Sequence, residues 1–129
     1  MVKIIDANLI LRYLLGDPEA GRVEKLLRSK NKLLLSDVIL AEIVWVLDSY
    51  YKWDRSKIVE SLISLVRLSS IVCNKLLLTE TLTILGKQKS FDFADAYSVA
   101  LMRVSKIKDI YSFDRDFDKL PEVNRLEPK

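Results

Sequence analysis

Five carboxylates carry the chemistry most readily read from this sequence: Asp6, Glu42, Asp92, Asp95 and Asp114. Asp6 and Asp114 each close a short apolar run, Val2–Ile5 and Ile110–Phe113. In an open parallel sheet, ligands bind beyond the carboxyl ends of the strands, and both aspartates would lie on that edge. Asp92 and Asp95 are three residues apart, so a helix puts them on one face. Glu42 interrupts a strongly apolar stretch beside Leu40, Ile43, Val44 and Leu47, where an unpaired carboxylate is costly. Each acid alone has a plainer reading. Strand-end aspartates form turns and caps, and aspartates in a first helical turn answer the helix dipole. Gathered on one edge, however, they would repel, raising their pKa values or destabilising the fold, unless a hard cation sits among them. Oxygen-only ligands select Mg²⁺ or Mn²⁺. Such an ion binds phosphate oxygens and acidifies a bound water, which makes metal-assisted phosphodiester hydrolysis the matching reaction.

The rest of the composition narrows the choice by exclusion. The chain has 129 residues, no histidine, one cysteine and three glycines. Without histidine, a Ser-His-Asp triad, a Cys-His dyad and imidazole acid/base catalysis are impossible within the chain. Cys73 alone makes neither an internal disulfide nor a structural zinc site, which suits a reducing compartment. None of the glycines builds a dinucleotide or P-loop cradle. Half the residues are hydrophobic and 30% are charged, enough apolar material for one well-filled core. Apolar runs are broken by charge well short of membrane-spanning length, and Asp6 interrupts any signal-peptide core. A cytoplasmic protein that does not engage membranes is expected.

The elements that must position these acids follow from periodicity and punctuation. Val2–Ile5 reads as a buried strand. Ala7–Leu15 is helical and stops at Gly16, and Asp17-Pro18 restarts a helix to about Ser29. Leu33–Leu35 is a second strand candidate. Ser36 can cap a long helix from Asp37 to about Lys52, and Asp54 another from Arg55 to about Arg67. Ser70–Cys73 is a short strand candidate, followed by a helix from Lys75 to Gln88. A small-residue helix runs from Asp92 to about Ser105. Ile110–Phe113 and a segment near Asn124–Leu126 complete the strands. There is no linker or repeat, so residues 1–129 are expected to form one domain. Alternation of strand and helix predicts an α/β fold, a parallel sheet covered by helices.

The motifs in their order resemble the PIN-domain family. Ile4-Ile5-Asp6-Ala7-Asn8-Leu9 is similar to its opening, an Asp-x-Asn after a strand. Asp92-Phe93-Ala94-Asp95-Ala96-Tyr97 resembles its central acidic helix start, and Tyr111-Ser112-Phe113-Asp114-Arg115-Asp116 its final strand-end motif. Glu42 falls where the family places its second acid. The resemblance covers essentially the whole chain, and the compact length is most similar to VapC-type toxins of toxin–antitoxin pairs. It implies an α/β/α sandwich with a central, mostly parallel sheet of about four to five strands. It implies a Mg²⁺- or Mn²⁺-dependent endoribonuclease whose metal-site acids are Asp6, Glu42, Asp95 and Asp114, with Asp92 and Asp116 as accessory ligands. Asn8 would orient Asp6 or bind water or phosphate, and Ser112 would hydrogen-bond a site carboxylate or simply end its strand. It further implies an RNA substrate, a cognate antitoxin laid into an apolar groove, and a homodimer.

Under that resemblance the basic residues become interpretable as RNA contacts. Arg12 and Arg115 rank first because they neighbour the motifs; Lys52, Arg55, Lys57, Lys87, Lys89, Arg103, Lys106 and Lys108 are further candidates. Setting aside the five acids named first leaves 13 of the 18 acids against 21 basic residues, a surface that favours a polyanion. Trp45, Tyr50, Tyr51 and Trp53 cluster near one helix end; they serve core, dimer contact or antitoxin groove, with Trp45 expected in the core. Cys73 is expected to be buried and inert. Three alternatives stay open: the same site acting in RNA processing or DNA cleavage, a catalytically inert module of the same fold, and a receiver-like signalling domain. The last wants an acid pair after the first strand and a lysine after the last, a poorer match to Asp6 and Asp114.

Overall fold

A computed structural model describes residues 1–129. The chain begins with β1 (Val2–Ile4), α1 (Ala7–Leu15), α2 (Ala20–Leu27) and β2 (Lys32–Leu34). It continues through α3 (Asp37–Trp45), a π turn (Val46–Tyr50), α4 (Arg55–Val66) and β3 (Ile71–Val72). Next come α5 (Lys75–Lys87), α6 (Phe93–Ser105), β4 (Asp109–Tyr111), a 3₁₀ turn (Arg115–Lys119) and β5 (Asn124–Leu126). Every strand pairing is parallel, as helical crossovers require. No helix is long and apolar enough to cross a membrane.

Local chemistry explains where the elements start and stop. Gly16 adopts φ +68, the left-handed conformation that closes α1. Ser36 caps α3 by accepting the Ile39 amide at 3.1 Å, and Asn74 caps α5 by accepting that of Leu77 at 3.1 Å. Asp17 accepts the Glu19 amide at 2.7 Å, so the chain makes one turn at Pro18 and α2 begins at Ala20. The helix expected to run through to Lys52 is instead α-helical only to Trp45. Beyond it a π turn gives a Tyr51 amide to Val46 carbonyl bond of 3.1 Å, and this turn carries Asp48 out toward α4.

The five strands are present, but they divide into a sheet ordered β1-β2-β3 and a pair β4-β5. Ile5 and Leu35 extend the first ladder by donating to the carbonyls of Leu34 and Val72. The buried face of that sheet presents Ile5, Leu33, Leu35 and Ile71 to the core, together with Ile10, Leu27, Leu40, Leu62, Leu78, Leu82 and Phe91 from the helices and the α5–α6 connection. The opposite face alternates outward, as a period-two strand must. Hence Val2–Ile5 is not the wholly buried strand expected from its apolar run. β1 stands at the edge of its sheet; Ile5 is buried, but Ile4 is 74% exposed.

Two side-chain expectations are also corrected. Trp45 lies outside the core at 65% exposure, because it ends α3 on the side away from Ile43 and Val44. Cys73 is half-buried rather than fully enclosed, and partial burial pushes its thiol pKa up.

Candidate active site

The strands of the first sheet are parallel, so Asp6 after β1, Ser36-Asp37 after β2 and Cys73-Asn74 after β3 emerge on one edge. Asp6 occupies the N-cap position of α1, yet its side chain accepts no capping bond and no basic residue pairs with it. Its carboxylate stands exposed at the sheet edge with its lone pairs uncommitted. Glu42 projects from the second turn of α3, also exposed and unpaired. It shares a cavity of about 330 Å³ with Asp48, Arg55 and Asp92.

Asp92 and Asp95 open α6 as a reciprocal capping box. Asp92 Oδ1 accepts the Asp95 amide at 2.9 Å, and Asp95 Oδ2 accepts the Asp92 amide at 3.2 Å. Each carboxylate therefore spends one oxygen on the helix start and keeps the other free. Asp95 is half-buried, and its pKa is raised, first by that burial and then by the charges of Asp92 and Asp114. Asp114 is thus near enough to be felt across the gap between α6 and the end of β4. It starts the 3₁₀ turn by accepting the Asp116 amide at 2.9 Å. No arginine or lysine forms an ion pair with Asp92, Asp95 or Asp114, although other acids of the chain are so paired, such as Asp17, Glu80 and Asp118.

The accessory residues separate on inspection. Asp116 pairs with Lys119 at 3.2 Å. Ser112 Oγ accepts the Asp114 backbone amide at 3.0 Å, and so fixes the loop that carries the acid group. Asn8 Oδ1 accepts from Arg12 Nε at 3.1 Å, and Arg12 reaches on to Asp17 at 3.3 Å. Arg115 is exposed and free of any ion pair. Arg55, by contrast, is not a free RNA-facing cation: its Nη1 donates to the carbonyls of Leu85, Gln88 and Phe91.

Two contacts that frame the site were not read from sequence. The Tyr97 hydroxyl donates to Asp37 Oδ2 at 2.5 Å, joining α6 to the start of α3; this bond holds the Tyr97 proton and raises its pKa. The second is the Arg55 cluster. A tyrosine on the helix that carries Asp95 was a usable signal for the first. Nothing in the sequence pointed to backbone carbonyls as the partners of Arg55.

The donor set suits a hard, largely hydrated cation. The free groups are carboxylate oxygens, Asp95 is destabilised in its charged form by burial and then by neighbouring like charges, and no ion pair offsets them. No three Asp, Glu or Cys side chains are arranged to enclose an ion among themselves. An ion held here would take one or two of these carboxylates directly, with waters or substrate phosphates completing its shell, as Mg²⁺ usually does.

Comparison with known proteins agrees with this architecture. The PIN domain family model matches residues 3–123. A VapC ribonuclease of Aquifex aeolicus (strain VF5) is 27% identical over 127 residues, 92% of each chain. The receiver-like alternative falls with these matches. With its α/β order, its parallel strands and its strand-end acids, the chain belongs to the PIN domain family.

Proposed function

We propose that this protein is a Mg²⁺- or Mn²⁺-dependent endoribonuclease, the toxin of a toxin–antitoxin pair. The observation that carries the reading is the Asp92, Asp95 and Asp114 group: acids at the start of α6 and at the turn after β4 that no basic side chain neutralises. The kinship with a named VapC ribonuclease supports RNA as the substrate. Asp6, Glu42, Asp95 and Asp114 would hold the ion, one or two of them directly and the others through its waters, with Asp92 beside them. Asp116 is left out of this set because Lys119 already pairs with it.

The bound ion supplies positive charge to the scissile phosphate and a water acidified toward hydroxide. The chain's own residues do the rest. The capping box fixes the directions of Asp92 and Asp95, and Ser112 fixes the loop that presents Asp114. Arg115, unpaired beside Asp114, would contact an RNA phosphate, and Arg12 would do so one helical turn from Asn8. The exposed Val38 and Trp45 on α3 offer apolar contact area beside the acids, suited to a second copy of the chain or to an antitoxin segment.

The test is cleavage of RNA by the purified protein with Mn²⁺ or Mg²⁺, arrest by EDTA, and loss of at least about a hundredfold in rate in Asp6→Asn, Asp95→Asn and Asp114→Asn. Retained activity in those variants would show that the site lies elsewhere. Growth arrest on expression, relieved by the product of the neighbouring reading frame, separates the toxin role from general RNA processing.

A further inference from the structure

Glu42 and the Asp92–Asp95 pair sit on different elements, and a single side chain ties those elements together. Arg55, on the first turn of α4, is only 17% exposed at its side chain. Its Nη1 donates to the carbonyls of Leu85 at 3.3 Å, Gln88 at 3.1 Å and Phe91 at 2.6 Å. Those carbonyls belong to the end of α5 and to the connection that delivers Asp92. On its other side Nη2 faces Asp48 Oδ2 at 3.8 Å, on the π turn that continues the Glu42 helix. Helix ends leave carbonyls without partners, and here one guanidinium nitrogen answers three carbonyls while the other faces Asp48. The same Arg55 lines the cavity shared by Glu42, Asp92 and Trp45.

We propose that Arg55 is a positioning residue of the active site: it sets the separation between Glu42 and the Asp92–Asp95 pair, and with it the affinity for the divalent ion. The inference rests on the metal-site reading given above. Arg55 touches neither ion nor RNA. It acts by holding the α5–α6 connection against the π turn, so the two carboxylate-bearing elements keep one spacing. π turns inside α-helices recur at functional sites, and here the turn is what brings Asp48 within reach of the arginine.

The experiment is Mn²⁺ titration, by calorimetry and by the electron paramagnetic signal of free Mn²⁺. It uses wild type, Arg55→Lys, Arg55→Met and, as a distant control, Ser70→Ala. Ser70 bonds the Leu27 carbonyl in the core and lies away from the acids. Affinity is expected to fall roughly 10-fold in Arg55→Lys and up to about 100-fold in Arg55→Met, the usual range for residues that orient metal ligands. RNA cleavage by Arg55→Lys should recover toward wild type at saturating Mn²⁺. Ser70→Ala should melt at a lower temperature with unchanged Mn²⁺ affinity, which separates positioning from general destabilisation. Should Arg55→Met not fold, Arg55→Lys decides. Wild type that binds Mn²⁺ with Arg55→Lys unchanged overturns the positioning role alone; wild type that binds none overturns the metal site itself.

Discussion

Asp95 serves the helix and the site with different oxygens. One closes the capping box and the other is left without a hydrogen-bond partner, and burial followed by the charges of Asp92 and Asp114 raises the pKa of the group. The folded chain therefore holds the Asp95 proton to higher pH than the unfolded chain does. In the metal-free protein this group costs stability as pH rises through the window above the usual carboxylate value. Asp95→Asn keeps an oxygen for the Asp92 amide and removes the repulsion. In EDTA near neutral pH the variant should be more stable than wild type by up to about 0.5 kcal/mol, allowing for solvent screening. The rise in melting temperature that Mg²⁺ gives the wild type should disappear. A variant that melts lower in EDTA and still responds to Mg²⁺ would contradict the argument. The spacing of Asp92 and Asp95 was legible because a helix start imposes it. Arg55 was not, since its partners are carbonyls 30 to 36 residues away and any sequence supplies carbonyls.

Two loops carry Asp92 and Asp114, and two aromatic rings fasten them together. Phe91 precedes Asp92 and is 1% exposed; Phe117 follows Asp114 by three residues and is 4% exposed. Their ring centroids are 5.3 Å apart at a tilt of 45°, within the range of favourable aromatic pairs. Phe91→Ala should cost about 3–5 kcal/mol in urea unfolding, as full truncation of a buried aromatic does. It should also weaken Mg²⁺ stabilisation, because the two acids would no longer be held to one spacing. Loss of stability with an unchanged Mg²⁺ response would confine Phe91 to the core. Helix positions came through from apolar periodicity and caps such as Ser36 and Asn74. The exposure of Ile4 did not, because a run of apolar residues reads the same whether a sheet is covered on both faces or on one. The division of the strands into three and two is likewise set by hydrogen-bond pairing, which no local pattern encodes.

At the scale of the molecule, charge is distributed unevenly between the acids of the site and the basic remainder. Arg115 is unpaired, and Arg12 is only partly engaged by Asn8 and Asp17. With two to three phosphate contacts and a slope of about 0.7 per contact on a single strand, RNA affinity should fall roughly tenfold between about 50 and 200 mM salt. Arg115→Gln should reduce that slope by about one contact's worth. A salt-independent affinity would place RNA on some other surface.

Trp45, which the core left outside, lies against the same cavity as Glu42 and Asp92, and the chain has only one other tryptophan, Trp53. Lys57 Nζ sits 3.9 Å from the centre of the Trp53 ring. The protein thus carries a native optical reporter beside its acids. In a Trp53→Phe background, paramagnetic Mn²⁺ bound at the acids should quench the emission of Trp45, and diamagnetic Mg²⁺ should compete the quenching away, so that ion occupancy can be followed without RNA and without a label.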